Sequence, residues 1–145
     1  MTESRFVYVT YIRAPAQKVW DALTDPEANK KFWGGYSQRS NWQVGADYAI
    51  VDGEGKAWDT GKVLACTPPT HLTVTWMHQH DAAMKAEGVS TATFDLETPA
   101  EGVTKLTVTH AIPVAESKLI GAVSTGWPGV LSSLKSLLET GQAIG

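Results

Sequence analysis

One cysteine, Cys66, stands among the 145 residues, so no internal disulfide is available. That scarcity suits a reducing compartment. No basic block exists either. The longest basic run is Lys30-Lys31 and the formal net charge is −3, so the electrostatic footprint of a nucleic-acid binder is missing. No run of 18 apolar residues occurs, which excludes a membrane-spanning helix from the expectation. The opening Met-Thr-Glu-Ser-Arg has no apolar stretch behind a basic start, so no secretory signal is read there. Cytoplasmic placement, without nucleic-acid or membrane partners, is the resulting expectation. Long charged blocks and low-complexity segments are absent too, and with 43% apolar residues the chain is expected to fold as one domain over residues 1–145.

Tryptophan, by contrast, is plentiful. Trp20, Trp33, Trp42, Trp58, Trp76 and Trp127 supply large apolar surfaces with a single N–H each. Such groups fill cores, and they also line apolar ligand cavities.

The pattern along the chain is restrictive. Phe6–Ile12 is rich in β-branched and aromatic residues and reads as a strand. Pro15 presets a first helical turn, and Ala16, Val19, Trp20 and Leu23 recur at helical spacing. Asp25 caps a second short helix that starts at Pro26 and ends before Gly34-Gly35. Strands are then predicted at Gln38–Asn41, Asp47–Val51, Ala57–Cys66, His71–His78, Val89–Glu97 and Val103–His110. His78-Gln79-His80-Asp81 reads as a polar strand end and loop. From Leu119 to Leu138 the apolar period changes to that of a long helix, with Gly141 as its stop. Pro128 lies inside this helix and predicts a kink or break. The predicted class is α+β: a helix-grip fold, in which a curved antiparallel sheet wraps a long C-terminal helix and two short helices follow the first strand. A bent sheet does not close fully on one helix, so a cavity is expected between them.

Face by face, that cavity is expected to be lined by Trp58, Leu72, Val74, Trp76, His78, Phe94, Val108 and His110 from the strands. Trp127, Val130, Leu131 and Leu134 are expected from the helix, with Ser133 on its polar side and Trp33 at the entrance. His110 has two readings, an acid/base or ligand anchor inside the cavity and a strand-end residue that hydrogen-bonds the backbone and positions the helix connection. His78 and His80 share a side at i, i+2 spacing, yet no third ligand accompanies them, so no metal is predicted. Nothing near Cys66 activates it, no Gly-x-Ser-x-Gly is present, and Gly53-Glu54-Gly55 is a hairpin turn. Asp47, Asp59 and Glu97 do not assemble a catalytic pair, although Asp59 is expected to face the side opposite Trp58. No cofactor is predicted.

Several motifs in order resemble a known family. Arg13-Ala14-Pro15, Val19-Trp20 and Leu23-Thr24-Asp25-Pro26 look like the opening of START-like (Bet v 1-like) domains of the Hsp90-ATPase-activator-homologue group. Phe32-Trp33-Gly34, Trp42 with Val44-Gly45, Gly61 with Val63-Leu64, Pro68-Pro69 with Leu72 and Trp76, Leu106–His110, and Gly126-Trp127-Pro128 with the closing helix continue the likeness. The resemblance implies the helix-grip fold. For function it implies a choice among carriers of apolar molecules, cyclase- or hydrolase-type enzymes, and a co-chaperone interaction domain, which acts beside a second domain that 145 residues leave no room for. The leading expectation is a binder of a small apolar or aromatic molecule, as monomer or homodimer. The enzymatic alternative uses His110 or His78 as acid/base.

Overall fold

The computed structural model describes residues 2–144. Its seven strands form one antiparallel sheet in the order β1-β7-β6-β5-β4-β3-β2, curled around a long helix as a helix-grip fold. The strands are β1 (Ser4–Ile12), β2 (Ser37–Arg39), β3 (Asp47–Val51), β4 (Ala57–Thr67), β5 (His71–His78), β6 (Ser90–Ala100) and β7 (Val103–Ile112). The helices are α1 (Ala16–Thr24), α2 (Pro26–Phe32), α3 (Ala82–Ala86) and α4 (Lys118–Thr140).

Alternation builds the inner face of the sheet. Leu72, Val74 and Trp76 of β5, Ala92, Phe94 and Leu96 of β6, and Leu106, Val108 and His110 of β7 are all buried. From α4 they meet Trp127, Leu131 and Leu134, which share one helical stripe. The Asp25-Pro26 pair acts as its chemistry dictates: the Asp25 side chain accepts from the Glu27 N–H at 3.1 Å and Pro26 takes the first helical position.

Several local expectations are corrected. Pro15 is the N-cap of α1, in extended backbone, and not its first helical residue. Asp81, read as part of a loop, caps a short helix that the sequence reading did not place, α3, and its side chain accepts from the Met84 N–H. Pro128 does not break α4, which stays one helix from Lys118 to Thr140. Pro128 removes only one backbone donor from a helix that is otherwise continuous. Ser133 lies on the buried side of α4, 3% exposed, and not on the polar side. Gly141 ends the helix as expected, at φ +83°, with its N–H on the Leu137 carbonyl at 2.9 Å.

Two hydrogen-bonded groups fix the helices against the sheet. Glu87, after α3, accepts from the Ser117 hydroxyl at 2.6 Å and from the N–H groups of Lys118 and Leu119 at the start of α4. At the other end of the sheet, Asn29 donates to the Ala22 carbonyl at 2.6 Å and accepts from the Gln38 N–H at 2.7 Å. The Gln38 side chain donates to the Leu23 carbonyl at 2.7 Å, and the Tyr48 hydroxyl donates to Gln38. This buried network ties the α1–α2 pair to β2 and β3 and so places Phe32 and Trp33.

Candidate functional site: a cleft walled by tryptophan and glycine

Trp127 fills the centre of the space between sheet and helix. Its ring centroid lies 5.5 Å from Trp76, 5.5 Å from Trp33 and 5.6 Å from Phe94, the last edge-on. Its indole Nε1 donates to Nδ1 of His110 at 3.1 Å. An accepting Nδ1 leaves the ring proton on Nε2, which donates to Ser90 Oγ at 2.8 Å, and Ser90 in turn donates to the Trp76 carbonyl at 3.1 Å. Burial holds the His110 pKa down from 6.5 to about 4. His110 is therefore a neutral, fully buried link between β7, β6 and α4, with both ring nitrogens engaged. The acid/base role read for it finds no opening here, and its ring partners are the side chains of Trp127 and Ser90 rather than the backbone.

The open space lies to one side of this cluster. A cleft of about 590 Å³ is bounded by the end of α2 and its following turn (Phe32, Trp33, Gly34, Tyr36), by Ile50 of β3, Asp59 of β4 and Trp76 of β5. Gly126, Gly129, Val130 and Ser133 of α4 close the opposite wall, and Ile144 covers part of it. A recess of about 80 Å³ adjoins it between Trp33, Trp76, Val123 and Trp127. The tail reaches the cleft because it folds back on α4: the Ile144 N–H donates to Ser133 Oγ at 3.1 Å and Ser136 donates to the Gln142 carbonyl at 2.6 Å.

Asp59 is the one carboxylate in this wall. Ile50 and His78 flank it as its strand partners, and His78 Nδ1 lies 3.0 Å from its Oδ1. Burial raises the Asp59 pKa above the ordinary carboxylate value, and the His78 contact opposes that rise in part. The close packing of β4 on β5 rests on Gly61. A Cβ there would sit 1.8 Å from the Thr75 carbonyl oxygen, so only glycine fits two residues beyond Asp59. Trp58, its neighbour in sequence, does not line the cleft, although its ring lies 6.4 Å from that of Tyr36. It donates to Asp52 Oδ2 at 2.9 Å, sits under the Lys56 ammonium, and meets His80 edge-on.

The structure thus brings Trp33, Trp76 and Val130 to the cleft, with Trp127 in the adjoining recess and His78 behind Asp59. Leu72, Val74, Phe94, Val108, Leu131 and Leu134 are packed in the core and do not line it. Trp127 occupies the volume those faces would otherwise enclose. Trp58, at the irregular pairing of β3 with β4, is held by Asp52 beside the cleft and does not line it. Sequence reasoning missed Tyr36, Ile50, Asp59, Gly126, Gly129 and Ser133. The strongest available signal was the pair of glycines three apart within a helix, where glycine is costly. Among the described residues, no three histidine, cysteine or carboxylate side chains converge as for a metal. No described helix is long and apolar enough to cross a membrane.

Solved structures share this architecture. Protein MLL2253 of Mesorhizobium loti is 27% identical with a TM-score of 0.78, covering 94% of this chain and 97% of that one. The Aha1 dimer of Colwellia psychrerythraea is 25% identical with a TM-score of 0.71, covering 97% and 99%. CalU16 of Micromonospora echinospora, 21% identical at a TM-score of 0.75 over 94% of this chain and 77% of its own, shares the fold. No curated protein matches the chain. The family described as Activator of Hsp90 ATPase homolog 1-like protein matches residues 13–139, and the chain belongs to that family.

Proposed function

We propose that the cleft between α2, β3–β5 and α4 binds a small apolar or aromatic molecule. The observation that carries this reading is the cleft itself: about 590 Å³ with walls of Phe32, Trp33, Tyr36, Ile50, Trp76 and Val130. Its size and lining are those of small-molecule sites, which are mostly apolar with few polar groups. The glycines at 126 and 129 support it, since each leaves open a volume that a side chain would occupy.

A titration with a neutral solvatochromic dye tests this. Saturable binding near one dye per chain is expected. Trp33→Ala, which removes a half-buried wall, is expected to weaken it about tenfold, in line with a lost aromatic contact of ~1.4 kcal/mol. Absence of saturable binding contradicts the reading.

A second reading is chaperone activation, favoured by the nearly full-length similarity to the Aha1 dimer of Colwellia psychrerythraea. It predicts stimulation of an Hsp90 ATPase by the purified chain, and an unchanged ATPase rate rejects it.

A further inference from the structure

The cleft has a polarity that its apolar lining does not require. Asp59 is its one carboxylate, and neither lysine nor arginine lines it. The side chain is about nine-tenths buried. One oxygen, Oδ1, is held by His78 Nδ1 at 3.0 Å. That contact holds the carboxylate in a fixed orientation at the cleft wall. Trp33, Tyr36 and Trp76 line the same space, and aromatic faces attract cations through their ring quadrupoles. A buried anion among apolar and aromatic groups is costly to keep, and a ligand that brings a positive charge relieves that cost.

We infer that the cleft selects an aromatic or alicyclic molecule bearing a protonated amine, with the ring between Trp33, Trp76 and the glycine face of α4 and the ammonium on Asp59. The inference rests on the binding reading above and adds the chemical class. His78 is then a positioning residue, which orients the carboxylate without touching the ligand. Anionic molecules of the same shape are rejected, because they meet the like charge of the Asp59 carboxylate.

Three shape-matched probes test it at neutral pH: naphthylmethylammonium, naphthylmethanol and naphthoate, titrated against the wild-type protein by tryptophan fluorescence. The ammonium is expected to bind at least about tenfold more tightly than the alcohol, the range of a charge-assisted hydrogen bond in a partly desolvated site. Naphthoate is expected to bind more weakly than the alcohol. Asp59→Asn keeps the shape and a hydrogen-bond acceptor for His78. It is expected to abolish the advantage of the ammonium while changing alcohol binding less than about threefold. Equal binding of all three probes, or naphthoate binding best, overturns the amine preference and leaves the cleft as a binding site. No binding by any probe overturns both. The wild-type ranking needs no variant, so a failure of Asp59→Asn to fold leaves the test decisive.

Discussion

The indole N–H of Trp127 donates to His110 Nδ1 at 3.1 Å, joining the centre of α4 to the inner face of β7. It is a buried directional contact between α4 and the sheet, on a helix that places Leu131 and Leu134 in the core and Gly126, Gly129 and Val130 at the cleft. A helix lying on a sheet through apolar contacts alone has no such directional constraint.

The burial of His110 makes stability depend on pH. Burial depresses the His110 pKa from 6.5 to about 4. Above 6.5 the imidazole is neutral in both folded and unfolded chains, and the stabilising contribution is fully present. As pH falls from 6.5 to about 4, the unfolded chain takes up a proton that the folded chain refuses, so stability is lost. The full loss amounts to about 3 kcal/mol. Denaturant unfolding of wild type and His110→Gln across this range checks it. The stability gap between the two proteins is expected to narrow as pH falls, and a constant gap contradicts the neutral, buried imidazole.

The glycines of α4 separate stability from binding. Glycine in a helix costs about 0.5–1 kcal/mol relative to alanine, and none of Gly121, Gly126 or Gly129 has an atom within 4 Å of an added Cβ. Each glycine-to-alanine change is therefore expected to raise stability by about that amount. Of these three, Gly126 and Gly129 line the cleft and Gly121 does not. Gly129→Ala is expected to weaken dye binding while Gly121→Ala leaves it unchanged. Melting curves and dye titrations on the same samples read both effects.

Leu134 and Ser133 are adjacent and both buried, but for different reasons. Leu134 is a core residue, and Leu134→Ala is expected to cost ~2–5 kcal/mol. Ser133 accepts the Ile144 N–H, so Ser133→Ala is expected to cost ~1 kcal/mol and to free the tail beside the cleft. Thr125→Ala, on the exposed side of α4, is expected to stay within ~0.5 kcal/mol. Chemical-denaturation midpoints rank the three, and equal shifts contradict this assignment of the helix face.

The fold was legible because its signals are local and redundant. The Asp25-Pro26 start, the alternation of Leu72, Val74 and Trp76, and the helical stripe through Trp127, Leu131 and Leu134 each name an element independently. The cleft was far less legible. Alternation assigns a residue to a face, but it does not say whether that face is filled. Trp127 fills the half of the interior next to β6 and β7, which turns Phe94 and Val108 from expected lining into core. The inward turn of Asp59 depends on irregular pairing around β4, between Ile50 and Val51 and between Val63 and Ala65. Such bulges have no period to read. Ser133 looked polar by residue type, and its burial follows from a tail contact eleven residues away.

The most direct test of the account is a nuclear magnetic resonance titration with a neutral naphthalene probe, following the indole N–H signals of the six tryptophans. Saturable shifts are expected for Trp33 and Trp76, which wall the cleft, and for Trp127 in the adjoining recess. Trp20, packed in the core, and Trp42, whose N–H is held by the Thr24 carbonyl, are expected to stay unchanged. Saturable shifts confined to Trp20, Trp42 or Trp58, or none at all, would contradict a binding site between α2, β5 and α4.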